Sequence, residues 1–170
     1  NEATGGGAIY TGTAGDTYIL NSTFSSNTAR GVNPGSNPSS PGSGGAVKAI
    51  MLDEEQLPVL AQEGPVYIYL STFNNNTAIN KSGHAIYYTN ARFNTLKGNV
   101  IYGNGTGEGT ELGLAPEFSS YNIVGGTELF DPTSLVLDAG KGSEIFANVT
   151  GDIAFLANNG GLTKTINILK

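Results

Sequence analysis

Carboxylates stand side by side at only one place in the chain, Asp53-Glu54-Glu55. Such a run offers oxygen ligands to a cation or a docking point to a basic partner, although acidic runs more commonly form a solvated face. A second acidic stretch, Glu108 and Glu111 amid the glycines of 105–118, lacks the alternating oxygen ligands of an EF-hand loop. Calcium is thus the one cofactor these residues suggest, and no other is expected. Polysaccharide cleavage would need paired carboxylates across a groove, or calcium ligands with a base to take a proton. Asp131, Asp138 and Asp152 are scattered, and Arg92 and Lys97 are the only basic residues near a strand centre. His84, the sole histidine, has no second histidine to share a metal with and reads as a partly exposed turn residue. No catalytic residue is assigned on this basis. Tyr10, Tyr87 and Tyr88 remain. A stack of their rings would grip sugars, and would equally serve packing between strands.

Composition narrows the partners. Charged residues make up 13% of the 170 residues and the formal net charge is −6. No cluster of Lys or Arg offsets that charge, so nucleic acid and anionic membrane are not expected partners. No apolar run reaches the length of a membrane-spanning helix. With no cysteine there is neither a disulfide framework nor a thiolate metal site. Hydrophobic residues reach 38%, with 8 Tyr and 7 Phe, enough for a core. Neutral polar residues and 25 Gly must then carry the surface and the turns, a composition that suits regular β structure.

The elements that would position these residues are repeats. Gly6-Gly7-Ala8-Ile9-Tyr10 recurs as Gly44-Gly45-Ala46-Val47-Lys48 and as Gly83-His84-Ala85-Ile86-Tyr87. A second unit, Asn21-Ser22-Thr23-Phe24-Ser25-Ser26-Asn27-Thr28-Ala29, returns as Leu70-Ser71-Thr72-Phe73-Asn74-Asn75-Asn76-Thr77-Ala78, with a degraded copy at 99–104. Ala8 precedes Phe24 by 16 positions and Ala85 precedes Ile101 by 16, whereas Ala46 precedes Phe73 by 27. Two insertions of about ten and eleven residues account for the longer spacings, one near 31–43 and one near 51–64. Without them one coil is roughly 26–28 residues, a solenoid period. The expected fold is an all-β, right-handed, single-stranded parallel β-helix of about five or six coils with loop insertions. Residues 1–126 form the repeat coils of a single domain, and 127–170 form irregular C-terminal coils or a cap. The chain opens inside a repeat, so further coils are expected upstream.

Local chemistry agrees. Tyr18, Leu20 and Ser22 fall on one face of a strand, with Ile19, Asn21 and Thr23 on the other; Tyr67-Ile68-Tyr69-Leu70 alternates alike. Few windows lack Gly, Pro or an Asn cluster, which argues against helices. Asn27, Asn76 and Asn104 share one turn position, where Asn tolerates the left-handed region. Stacked at one corner, their amides are expected to bond to each other up the solenoid as a structural ladder.

Gly6-Gly7-Ala8-Ile9, followed by Phe24-Ser25-Ser26-Asn27 and Phe73-Asn74-Asn75-Asn76, resembles the GGAI and FxxN repeats of polymorphic outer membrane proteins. Leu156-Ala157-Asn158-Asn159-Gly160-Gly161 is similar to the LADNGG segment near the C-terminus of secreted bacterial β-helix proteins. The resemblance implies a β-helix outside the cell or on its surface, with an adhesive role. The partners it implies are carbohydrate or a surface protein of a host or neighbouring cell. Two other functions fit the same scaffold, a fragment of a polysaccharide lyase or hydrolase and a structural stalk, and fold alone does not choose among the three.

Overall fold

Short strands recur in each turn of the chain, each too short to bury a face alone. In a computed structural model the described residues are 1–3, 5–12, 15–31, 42–49, 64–79, 83–88, 94–105, 110–125, 132–137, 145–146, 149–150, 153–154, 156–157 and 166. After β1 (Glu2–Ala3), the first coil runs through β2 (Ile9–Thr11), β3 (Thr17–Leu20), β4 (Thr23–Ser25) and β5 (Thr28–Ala29). The second repeats it as β6 (Val47–Ala49), β7 (Val66–Tyr69), β8 (Thr72–Asn74) and β9 (Thr77–Ala78). The third contributes β10 (Ile86–Tyr88), β11 (Thr95–Lys97) and β12 (Val100–Ile101). A fourth contributes Leu112, bridged to Ile86, then β13 (Phe118–Ser120) and β14 (Ile123–Gly125), and β15 (Leu135–Leu137) lies beyond.

Equivalent strands pair in parallel and build four sheets: β2-β6-β10, β3-β7-β11-β13, β4-β8-β12-β14-β15 and β1-β5-β9, here called the first to fourth. The molecule is a parallel β-helix. Ile19 pairs with Ile68, and Ile68 in turn with Leu96. The corner residues show the two step lengths: Asn27 bonds to Asn76 across a separation of 49, and Asn76 to Asn104 across one of 28. The shorter step is the coil without insertions, and the excess of the longer one is the two insertions together. A final antiparallel pair, β16 (Val149–Thr150) and β17 (Ile153–Ala154), stands outside the parallel stack.

Inward-pointing residues stack as columns. Phe24, Phe73, Ile101 and Val124 form one, with the two phenyl rings 4.8 Å apart and 10° from parallel. Ile19, Ile68 and Leu96 form a second, and Ile9, Val47, Ile86 and Leu112 a third. The second and third coils bury these side chains fully. A separate cluster of Tyr102, Leu137, Phe146 and Ile166 packs with Val100 and Ile123, whose positions on β12 and β14 alternate with those of the inner column. The C-terminal residues thus lie against the outside of the third sheet.

Corners explain the repeated motifs. Gly6, Gly44 and Gly83 hold φ of 65°, 69° and 59° at the entry to the first sheet. The following glycine is needed for another reason: a Cβ on Gly45 would sit 2.0 Å from the His84 carbonyl oxygen of the next coil. His84 occupies that same motif position in the third coil and is buried, correcting the expectation of a partly exposed turn. Its ring lies where a Cβ on Gly105 would be, at 2.4 Å from Cδ2, and its Nδ1 accepts a hydrogen bond from Ala78 N at 3.1 Å. The left-handed residues of the FxxN corner are Ser26, Asn75 and Gly103, each one position before the asparagine expected to adopt that conformation. The asparagines are therefore free to turn their side chains into the stack.

Candidate functional site

Buried asparagines hold the strands in register. Asn27 donates from both its backbone N and Nδ2 to Asn76 Oδ1, at 3.1 and 2.8 Å. Asn76 does the same to Asn104 Oδ1, at 3.0 and 2.7 Å. Asn104 N then donates to Glu111 Oε1 at 3.1 Å, so a carboxyl oxygen takes the acceptor place that an asparagine holds in the other coils. Glu111 is buried, turned onto the ladder; Glu108 lies outside the described residues. A second column, not singled out in the sequence, runs through Ser22, Ser71, Asn99, Asn122 and Ser134. Its signal was available: each member stands two residues before Phe24, Phe73, Ile101, Val124 or Val136 of the repeat. The asparagines of both columns are buried and turned away from solvent.

The expected tyrosine stack does not form as a unit. Tyr10, Lys48 and Tyr87 share an outward column of the first sheet, so a lysine separates the two rings. Lys48 Nζ lies 5.8 Å from the Tyr87 ring centroid, and its partial burial lowers the ammonium pKa below the ordinary lysine value. Tyr88, the next residue on the strand, points the opposite way and is fully buried beside Ala49. Strand alternation forbids neighbours from sharing a face, so Tyr88 cannot touch a ligand. Burial also raises its phenol pKa strongly. Asp53, Glu54 and Glu55 lie outside the described residues, as do Arg92, Asp131, Asp138 and Asp152. Among the described residues no group of three or more His, Cys, Asp or Glu could hold a metal.

Aromatic residues gather instead on the outer face of the second sheet. Register places Tyr18, Tyr67, Thr95 and Phe118 in one outward column, with Leu20, Tyr69, Lys97 and Ser120 beside it. The Tyr18 and Tyr67 rings stack at 4.8 Å and 13°, one rung apart, and Tyr67 and Tyr69 are 6.3 Å apart along the strand. Tyr18 is 59% exposed and Phe118 53%. The adjoining corner adds Leu70 and Tyr121, both 65% exposed and both in the left-handed region. The Tyr18 hydroxyl donates to Asp16 Oδ2 at 3.1 Å, a bond that holds its proton and raises its pKa. The alternation in Tyr67-Ile68-Tyr69 and Thr17-Tyr18-Ile19-Leu20 signalled two strands. That these strands, far apart in the chain, are neighbours in the sheet is what turns scattered tyrosines into a surface.

No family model, no curated protein and no solved structure matches the chain.

Proposed function

We propose that the chain is a non-catalytic module of a secreted or cell-surface β-helix protein, and that the outer face of its second sheet binds carbohydrate. One observation carries the reading. Seven large residues, Tyr18, Leu20, Tyr67, Tyr69, Leu70, Phe118 and Tyr121, line one outward face and its corner, five of them more than half exposed. A solvated sheet face ordinarily carries polar residues, and large exposed apolar side chains gathered on one face mark a contact surface. Tyrosine suits sugars in particular, since its ring takes C–H groups and its hydroxyl exchanges hydrogen bonds. The GGAI and FxxN repeats, and the surface proteins they resemble, support placing the module outside the cell.

A glycan array with and without calcium tests the proposal. Binding is expected, and Tyr18→Ala with Tyr67→Ala is expected to weaken it at least tenfold while the protein stays folded by circular dichroism. A blank array without polymer cleavage would leave the stalk reading, and cleavage of any arrayed polymer would replace the reading with an enzymatic one.

A further inference from the structure

The aromatic face has a gap. Coil two presents Tyr67, Tyr69 and Leu70 at successive outward and corner positions, and coil four presents Phe118, Ser120 and Tyr121. Between them coil three presents Thr95, Lys97 and Gly98. The intervening rung thus carries no ring, and at its corner no side chain: Leu70 reaches over Gly98, where an added Cβ would lie 2.8 Å from Leu70 Cδ2. Because Tyr18 and Tyr67 stack nearly parallel, Tyr18 covers one face of the Tyr67 ring. The opposite face is turned along the stack toward the coil-three rung. Phe118 stands two rungs from Tyr67, about 10 Å at ordinary strand spacing. A ring inserted midway meets each level at about 5 Å, the normal separation of stacked rings.

The floor of this trough carries a charge. Lys97 is exposed, and neither an ion pair nor a ring contact engages it among the described residues. It differs in this from Arg30, paired with Glu2, and from Lys48, which lies over Tyr87. Lys97 is also the only charged side chain at the outward positions of the four described strands of this sheet.

We infer that the coil-three trough, with Tyr67 and Phe118 as walls and Lys97 at its floor, is a subsite for an acidic sugar unit of a polysaccharide. The inference rests on the carbohydrate reading above and names the ligand's chemistry. Shape favours a narrow polymer over a folded partner: between Tyr67 and Phe118 the trough is two rungs across, about 10 Å, the width of a single chain of sugar rings. Charge complementarity selects a carboxylate on the inserted ring.

Four probes separate the outcomes in affinity electrophoresis and calorimetry of the whole chain: polygalacturonate, alginate, neutral amylose, and poly-L-glutamate, an anion without sugar rings. Thr95→Tyr fills the gap by continuing the tyrosine stack. It is expected to weaken polyuronate binding at least tenfold with the melting temperature unchanged or raised, so a folding failure cannot mimic the result. Lys97→Gln is expected to abolish the preference for polyuronate over amylose and to remove its salt dependence. Polyuronate binding unchanged in Thr95→Tyr, or an acid preference that survives Lys97→Gln, overturns the subsite and leaves the carbohydrate face standing. Equal binding of poly-L-glutamate reduces the contact to charge alone and also overturns it. If none of the four probes binds and the glycan array is blank as well, the carbohydrate reading falls with it.

Discussion

At Asn76 one side chain bonds to three residues. Its Oδ1 accepts two bonds from Asn27, and its Nδ2 donates to Asn104 Oδ1 and to Phe24 O at 3.0 Å. Asn76 is fully buried. Removing the amide leaves interior donors and acceptors that water cannot reach, each costing about 1–3 kcal/mol. Asn76→Ala is therefore expected to lower unfolding free energy by about 3 kcal/mol, measured by urea titration; a loss below about 1 kcal/mol would mean the ladder is decorative. Tyr88 presents the opposite case. Its hydroxyl is buried with no hydrogen-bond partner among the described residues. Tyr88→Phe is expected to stabilise the fold by about 1 kcal/mol, because it removes an unsatisfied polar atom and little volume. The same substitution alters alkaline behaviour. The folded-state pKa is raised, so above the ordinary phenol pKa of about 10 the unfolded chain ionises while the folded one keeps its proton. Stability from neutral Tyr88 is thus present below that pH and lost as pH climbs past it. A denaturation series from about pH 8 to 11, bracketing that value, should show a shallower decline for Tyr88→Phe than for the natural chain.

Elements are set by where the backbone turns, and the corners were only partly legible. Glycine pairs announced one corner: the first glycine takes φ near 65°, and at the second, Gly45, an added Cβ would lie 2.0 Å from the neighbouring coil. Two corners of the second sheet and its neighbour were misread or missed. Asparagine is the residue most associated with the left-handed region, so Asn76 attracted the assignment that belongs to Asn75. At the other corner the chain uses Asn21, Leu70, Gly98 and Tyr121, a column with no common residue type. No sequence rule would place Leu or Tyr at φ of 52° and 55°, because the left-handed conformation costs such residues about 1–2 kcal/mol. Stacking in register imposes it: each coil must turn where the coil beside it turns. Leu70→Asn, copying Asn21, is accordingly expected to raise the unfolding free energy by about 0.5–1 kcal/mol. A decrease in thermal melting would show that the Leu70 side chain over Gly98 is worth more than the backbone strain.

The parallel coils form a one-dimensional stack, in which each described coil pairs with the coils beside it. That geometry explains why period and inner columns could be read from the sequence while the aromatic face could not. Inner residues repeat because each coil needs the same core, whereas outward residues need no repeat, and Tyr18, Tyr67, Thr95 and Phe118 share nothing but register. The same geometry makes the first insertion separable. The step from Ile9 to its partner Val47 exceeds the step from Ile68 to its partner Leu96, and the excess is the length of that one insertion. The ends of this insertion meet, for a Cβ on Gly42 would lie 2.4 Å from Gly31 N. Deleting positions 32–41 and joining Gly31 to Gly42 restores the uninterrupted step without moving a rung. Loop closure depends only weakly on length, so stability should change by less than about 1 kcal/mol. Circular dichroism and melting should match the parent, and so should glycan binding, since the second sheet's outer face is untouched. A deletion variant that folds and melts normally but no longer binds would move the binding function from the tyrosine face to the inserted loop.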